Sequence, residues 1–279
     1  MAIMEKIRGF VLGAAMVLGA ATGSAASAQT QGVSADKLDI TGIKLGMTEA
    51  EVMRAVKAFD ANAQLVNKRM AHYPYSDGVT GFQTPAFLNE LEFRTGDSQF
   101  RIWFASPPAE PRVYAIHRYS RGNKTPPTRQ QFATALTTKY GPAQTHYLPN
   151  TGTNVVQWTE QGKPVCAVST NARIAVDGGN ETLLPPRAVE VLEGMGRSQH
   201  PNLRRTMGTS VDVARCGTVL RYMWGGPAND TAFPISEFYV WLVDQGGMVT
   251  MERQSAQWVK QLEAEAVRKR QGQGVMPKL

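Results

Sequence analysis

Two alternating runs on either side of a Gly-Asp pair constrain this chain most. From Leu88 to Thr95 the apolar residues Leu91 and Phe93 alternate with polar ones, and from Gln99 to Ala105 the residues Phe100, Ile102 and Phe104 do the same. A period of two is the repeat of a strand buried on one face. The linker Gly96-Asp97 predicts a two-residue hairpin turn, with glycine in the position that needs φ > 0. The apolar set is expected to face a helix. Its neighbours Glu92, Arg94, Arg101 and Trp103 are then forced to the opposite side and left for solvent or a partner.

The rest of the chain supplies the helices and further strands. Thr48 and Glu51 form a capping box, and Val52, Ala55, Val56 and Phe59 follow at helical spacing. A third strand is predicted from Arg112 to Ser120 after the prolines at 107, 108 and 111. A second box, Thr128 with Gln131, opens a helix through Phe132, Ala135, Leu136 and Tyr140 that stops at Gly141-Pro142. Strands are expected at Asn154 to Thr159, Pro164 to Ser169, Gly217 to Trp224 and Glu237 to Val243. Long loops with a short helix at 188–193 separate the first of these two pairs from the second. A terminal helix is predicted from about Glu252 to Arg270, with Trp258, Leu262 and Ala266 on one face.

Helices and strands do not alternate one for one, so the expected class is α+β: an antiparallel sheet with helices packed on one face. The two capping boxes lie 80 positions apart and suggest a degenerate duplication of a helix-plus-sheet unit. Residues 29–125 would form the first unit and 126–270 the second, with a disordered tail at 271–279.

The first 28 residues read as a secretory signal peptide. Lys6 and Arg8 precede an apolar run from Phe10 to Ala21, and Ala26-Ser27-Ala28 forms an A-x-A cleavage site before Gln29. The run is shorter than the roughly 20 residues that span a bilayer. Cleavage near Ala28 would deliver a soluble protein to the periplasm or the medium. Removing 28 of the 279 residues leaves 251, and loss of Glu5, Lys6 and Arg8 takes the net charge from +7 to +6. That balance permits weak attraction to anionic surfaces, while the absence of a dense basic cluster with interleaved aromatics argues against nucleic acid. In an oxidising compartment the two cysteines, Cys166 and Cys216, are expected to form a disulfide.

The run Thr41-Gly42-Ile43-Lys44-Leu45-Gly46-Met47-Thr48-Glu49-Ala50-Glu51-Val52 resembles the helix-entry signature of small exported domains with the β-lactamase-inhibitor-protein-like fold. The nearest functional group is the outer-membrane assembly lipoproteins of the SmpA/OmlA type. The resemblance covers about a dozen residues and implies a capped helix packed on a small antiparallel sheet. It also implies a Gram-negative periplasm, an open sheet face where protein partners dock, and no chemistry of its own. Those lipoproteins carry a cysteine directly after the signal. This chain has Gln29 there and no cysteine before Cys166, so a lipid anchor is not expected.

Residues able to carry chemistry are scattered. His72, His117, His146 and His200 have no H-x-x-x-H, H-E-x-x-H or Cys/His spacing, so no metal site or cofactor is predicted. His117, in mid-strand, reads as a structural histidine. No G-x-S-x-G, S-x-x-K or G-x-x-x-x-G-K run occurs, and Glu90 and Glu92 read as solvated edge residues. Catalytic residues are therefore not assigned. The reading is an exported binding or envelope-assembly protein whose partner is another envelope protein and whose binding residues are Glu92, Arg94, Arg101 and Trp103. The alternative is a hydrolase acting on cell-envelope material.

Overall fold

The computed structural model describes residues 32–122, 124–168, 174–176, 182–183 and 213–272. The signal segment expected at 1–28, the short helix expected at 188–193, His200 and the tail after 272 lie outside them. Along the chain come α1 (Glu49–Phe59), β1 (Gln64–Ala71), the hairpin β2 (Pro74–Ser76) and β3 (Gly81–Gln83), β4 (Phe87–Arg94), β5 (Ser98–Phe104) and β6 (Val113–Arg121). Then follow α2 (Arg129–Tyr140), β7 (Gln144–Leu148), β8 (Thr153–Thr159), β9 (Cys166–Val168), β10 (Ile174–Val176), β11 (Thr182–Leu183), β12 (Thr218–Gly225), β13 (Glu237–Asp244) and α3 (Gln245–Gly272).

Eight strands form one sheet in the order β1-β4-β5-β6-β13-β12-β8-β7, and every neighbouring pair is antiparallel. The fold is α+β, as the sequence predicts. Its two halves share one plan, a capped helix followed by four strands of this sheet, and the last strands of the halves, β6 and β13, meet at the centre of the sheet.

Both capping boxes form. Thr48 Oγ1 accepts from the Glu51 amide at 3.3 Å while Glu51 Oε2 accepts from the Thr48 amide at 2.7 Å. Thr128 and Gln131 repeat this exchange at 3.2 and 2.9 Å. At the other end of α2 Gly141 takes φ +85°, a left-handed conformation that costs glycine little. Val52 and Val56 of α1 and Leu136 and Tyr140 of α2 share a core with Leu91, Phe93, Phe100, Ile102, Trp158, Leu220 and Leu242. The alternating apolar set therefore faces the two capped helices, as its period requires.

The third helix departs from the expectation. It begins at Gln245, directly after β13, and Gly246-Gly247 lies inside its first turn. A Cβ at Gly246 would collide with the carbonyl oxygens of Ala214 and Cys216, so glycine is what lets the helix start so close to the disulfide. Its buried residues include Met248, Val249, Met251, Glu252, Ser255, Ala256 and Val259 rather than the stripe centred on Trp258 and Leu262. Met248, Val249 and Met251 pack with Trp103, Ala115, Val243, Cys166 and Cys216 in a second core on the sheet side opposite α1 and α2.

Cys166 and Cys216 are joined by a disulfide across 50 positions, with Cα atoms 5.8 Å apart. The Cys166 amide donates to Gln245 Oε1 at 2.9 Å, which ties the bridge to the first residue of α3. The β4–β5 hairpin closes over Gly96-Asp97 as expected, but Gly96 is not among the glycines with positive φ. The turn is instead held by Thr95, whose amide donates to the Ser98 carbonyl at 2.8 Å and whose Oγ1 accepts from the Ser98 amide at 3.1 Å. Among the described residues no helix is long and apolar enough to cross a membrane.

Candidate binding face

Strand register builds the site. On the side of the sheet away from α1 and α2, neighbouring strands bring Glu92, Arg101, His117, Trp241, Arg221 and Gln157 into one transverse row. One step along the strands lies a second row containing Arg94, Gln99, Tyr119, Tyr239 and Met223, and one step the other way a third with Glu90, Trp103, Ala115 and Val243. Three of the four residues read from the sequence, Glu92, Arg94 and Arg101, thus share a partly or fully exposed surface.

Trp103 requires a correction. It points to this side but is only 6% exposed, because the start of α3 covers that end of the sheet. Its ring stacks on Trp241 at 5.6 Å with 16° between planes, and the Arg101 guanidinium lies 5.0 Å from its centre. Glu90 also differs from the expectation. It is 3% exposed and accepts from Arg101 Nε at 2.7 Å, with Arg69 at 3.7 Å. The cause is β1, which pairs with β4 and makes it an interior strand.

Trp241, Tyr239 and Tyr119, together with His117, expected only as a structural histidine, dominate the face. Trp241 stands 4.3 Å from the His117 ring, His117 lies 6.2 Å from Tyr239, and Tyr239 stacks on Tyr119 at 4.8 Å. With Trp103 these rings form a continuous cross-strand column over β5, β6 and β13. Cross-strand aromatic pairs stabilise a sheet and present large contact areas at low conformational cost. Tyr239, 39% exposed, is the most open of them, and its hydroxyl donates to Glu237 at 2.9 Å, which raises it to about 12. Desolvation, with Arg101 as a second cause, pushes His117 down to about 4. It is neutral through the physiological range and acts as one more ring of the column. The signal for all four was the alternation of β6 and β13, where Val240 and Leu242 point inward and Tyr239 and Trp241 outward.

In the other half the face is polar. Arg221, 2% exposed, donates through Nε and Nη2 to Gln157 Oε1 at 3.0 and 2.8 Å, and Gln157 Nε2 donates to Gln144 Oε1 at 2.7 Å. His146 lies near the end of this chain of amides, its Nε2 buried without a hydrogen-bond partner and its basicity lowered by desolvation and then by Arg221. Among the described residues no group of three His, Cys, Asp or Glu side chains is placed to hold a metal ion.

Comparison with protein-family models, curated proteins and solved structures finds no match. The face offers stacked rings whose edges carry N–H and O–H groups, flanked by Arg94 and the Arg101–Glu90 pair, over a rigid antiparallel support. Such a surface can bind by apolar contact and directed hydrogen bonds.

Proposed function

We propose that this chain is an exported, non-enzymatic binding or envelope-assembly protein that docks another envelope protein on the sheet face away from α1 and α2. The observation that carries this reading is the column Trp103, Trp241, His117, Tyr239 and Tyr119 with Arg101 beside it. Tyrosine, tryptophan and arginine dominate interface energetics, and a rigid column of them loses little entropy on binding. The disulfide between Cys166 and Cys216 fits an oxidising compartment, in agreement with the signal-like N-terminus. The resemblance of residues 41–52 to exported assembly domains adds a partner class, a protein of the same envelope.

The test uses two tyrosines of similar exposure on opposite sides of the sheet. A photoreactive phenylalanine analogue at Tyr239 should cross-link to an envelope protein in intact cells. At Tyr147, 37% exposed and in register with Asn154 and Trp224 on the helix-bearing side, it should not. Equal products from both positions, or none from Tyr239, would remove the face from consideration. With the partner in hand, Tyr239→Ala and Arg94→Ala should each weaken binding by about 1 to 2 kcal/mol.

A further inference from the structure

The β2–β3 hairpin forms a small sheet of its own beside α3. A cleft of about 840 Å³ opens between them, lined by residues of both strands and by Glu263 of the helix. Tyr75 and Phe82, a cross-strand pair, stack in its wall with ring centres 5.3 Å apart and 27° between planes. Phe82 is 38% exposed, so part of this aromatic wall is open to solvent. The negative face of such a ring attracts cations.

Glu263 supplies a charge to match. It is half-buried, and among the described residues it is the one charged member of the lining. Within those residues it makes no ion pair or hydrogen bond. Lys260, one turn earlier on α3, leaves it unpaired. Arg270, two turns later, reaches the hairpin tip at Gly78 instead, near Asp77. No cation of the described residues stands over Tyr75 or Phe82. Carboxylate and rings are thus complementary to a cation that the described residues do not supply.

We propose that this cleft binds an arginine side chain of an extended peptide, its guanidinium meeting Glu263 while its plane lies on the open surface of the Tyr75–Phe82 pair. Rings stacked on each other offer flat outer faces and no box, which suits a planar cation better than a quaternary ammonium, the cation that aromatic cages enclose. The guanidinium fork meets a carboxylate through two parallel hydrogen bonds, which the point charge of a lysine cannot do. The cleft is far larger than one guanidinium and has room for the residues on either side of it. Gln83, in the same lining, has a free side-chain amide for the peptide backbone. The cleft shares no residue with the aromatic column, so the two sites stand or fall separately.

The probe is the end-blocked tripeptide alanyl-arginyl-alanine, titrated into the mature full-length protein and followed by the nuclear magnetic resonance signals of the Phe82 ring and the Glu263 carboxylate. It is compared with its citrulline counterpart, which keeps the shape and loses the charge, with its lysine counterpart and with butylguanidinium. Both signals should move saturably with the arginine peptide, and the citrulline peptide should bind at least about tenfold more weakly. The lysine peptide and butylguanidinium should also bind more weakly than the arginine peptide. Glu263→Gln should abolish the preference over citrulline, and Phe82→Leu should weaken the arginine peptide. Equal affinity for arginine and citrulline, unmoved signals, or unchanged binding by Glu263→Gln would each overturn the site. Lysine bound as tightly as arginine would overturn the guanidinium, and butylguanidinium bound as tightly as the peptide would overturn the peptide. The wild-type signals decide the matter even where a variant fails to fold.

Discussion

Trp103 and Tyr239 project from the same side of the sheet, and their covers give them different work. Met248 and Met251 share the buried cluster of Trp103, so Trp103→Ala should empty a large core volume and cost about 3 to 5 kcal/mol in chemical denaturation. Tyr239 is half open, and Tyr239→Ala should change stability by less than about 1 kcal/mol. His117 adds a pH dependence. Its folded value is depressed from 6.5 to about 4, so on acidification the unfolded chain takes up a proton that the folded one refuses. Stability present above pH 6.5 is therefore lost as the pH falls toward 4, by about 3 kcal/mol for this one group. Replacing it with His117→Phe should flatten the stability profile between pH 6.5 and 4, and an unchanged slope would place the acid sensitivity elsewhere.

Each of the two capped helices rests on a reciprocal pair of hydrogen bonds. Thr48→Ala and Thr128→Ala should each lower stability by about 1 kcal/mol, while Thr→Ser at either site should cost little. Those helices, and strands β4, β5, β6, β8, β12 and β13, were legible because each has a buried stripe or alternation with an explicit start or stop. β1 was not. Gln64–Ala71 is an edge strand exposed on almost every residue, with Lys68 and Arg69 in its centre, so no period marks it. Missing it made Glu90 look solvated, when in fact it sits between Arg101 and Arg69. β7 is a second edge of another kind: Gln144, His146 and Leu148 are half-buried in alternation, but two of the three are polar, so no apolar period marks it. The start of α3 was hidden by Gly246-Gly247, because close approach to the disulfide and a turn call for the same residue. The proposed binding side was visible in Glu92, Arg94 and Arg101, but its aromatic column needed the pairing of β6 with β13, which no local pattern encodes.

The bridge from Cys166 to Cys216 spans 50 positions and anchors β9 beside the first turn of α3. Replacing both cysteines by alanine should cost on the order of 4 kcal/mol by the loop-entropy account, read as a lower melting temperature that reductant no longer shifts. The central seam has a different consequence. β6 ends at Arg121 and its partner β13 begins at Glu237, so more than a hundred residues must emerge before the two halves can join. A chain delivered from its N-terminus completes the first four main-sheet strands and then waits with the inner edge of β6 bare. Such an edge recruits whatever strand arrives first, including that of another nascent copy. The same long sequence separation that joins two similar halves into one sheet predicts that their union is the slow step of refolding, checked by refolding yield falling as protein concentration rises. A chaperone that shields β6 until β13 arrives would protect yield without touching the finished protein.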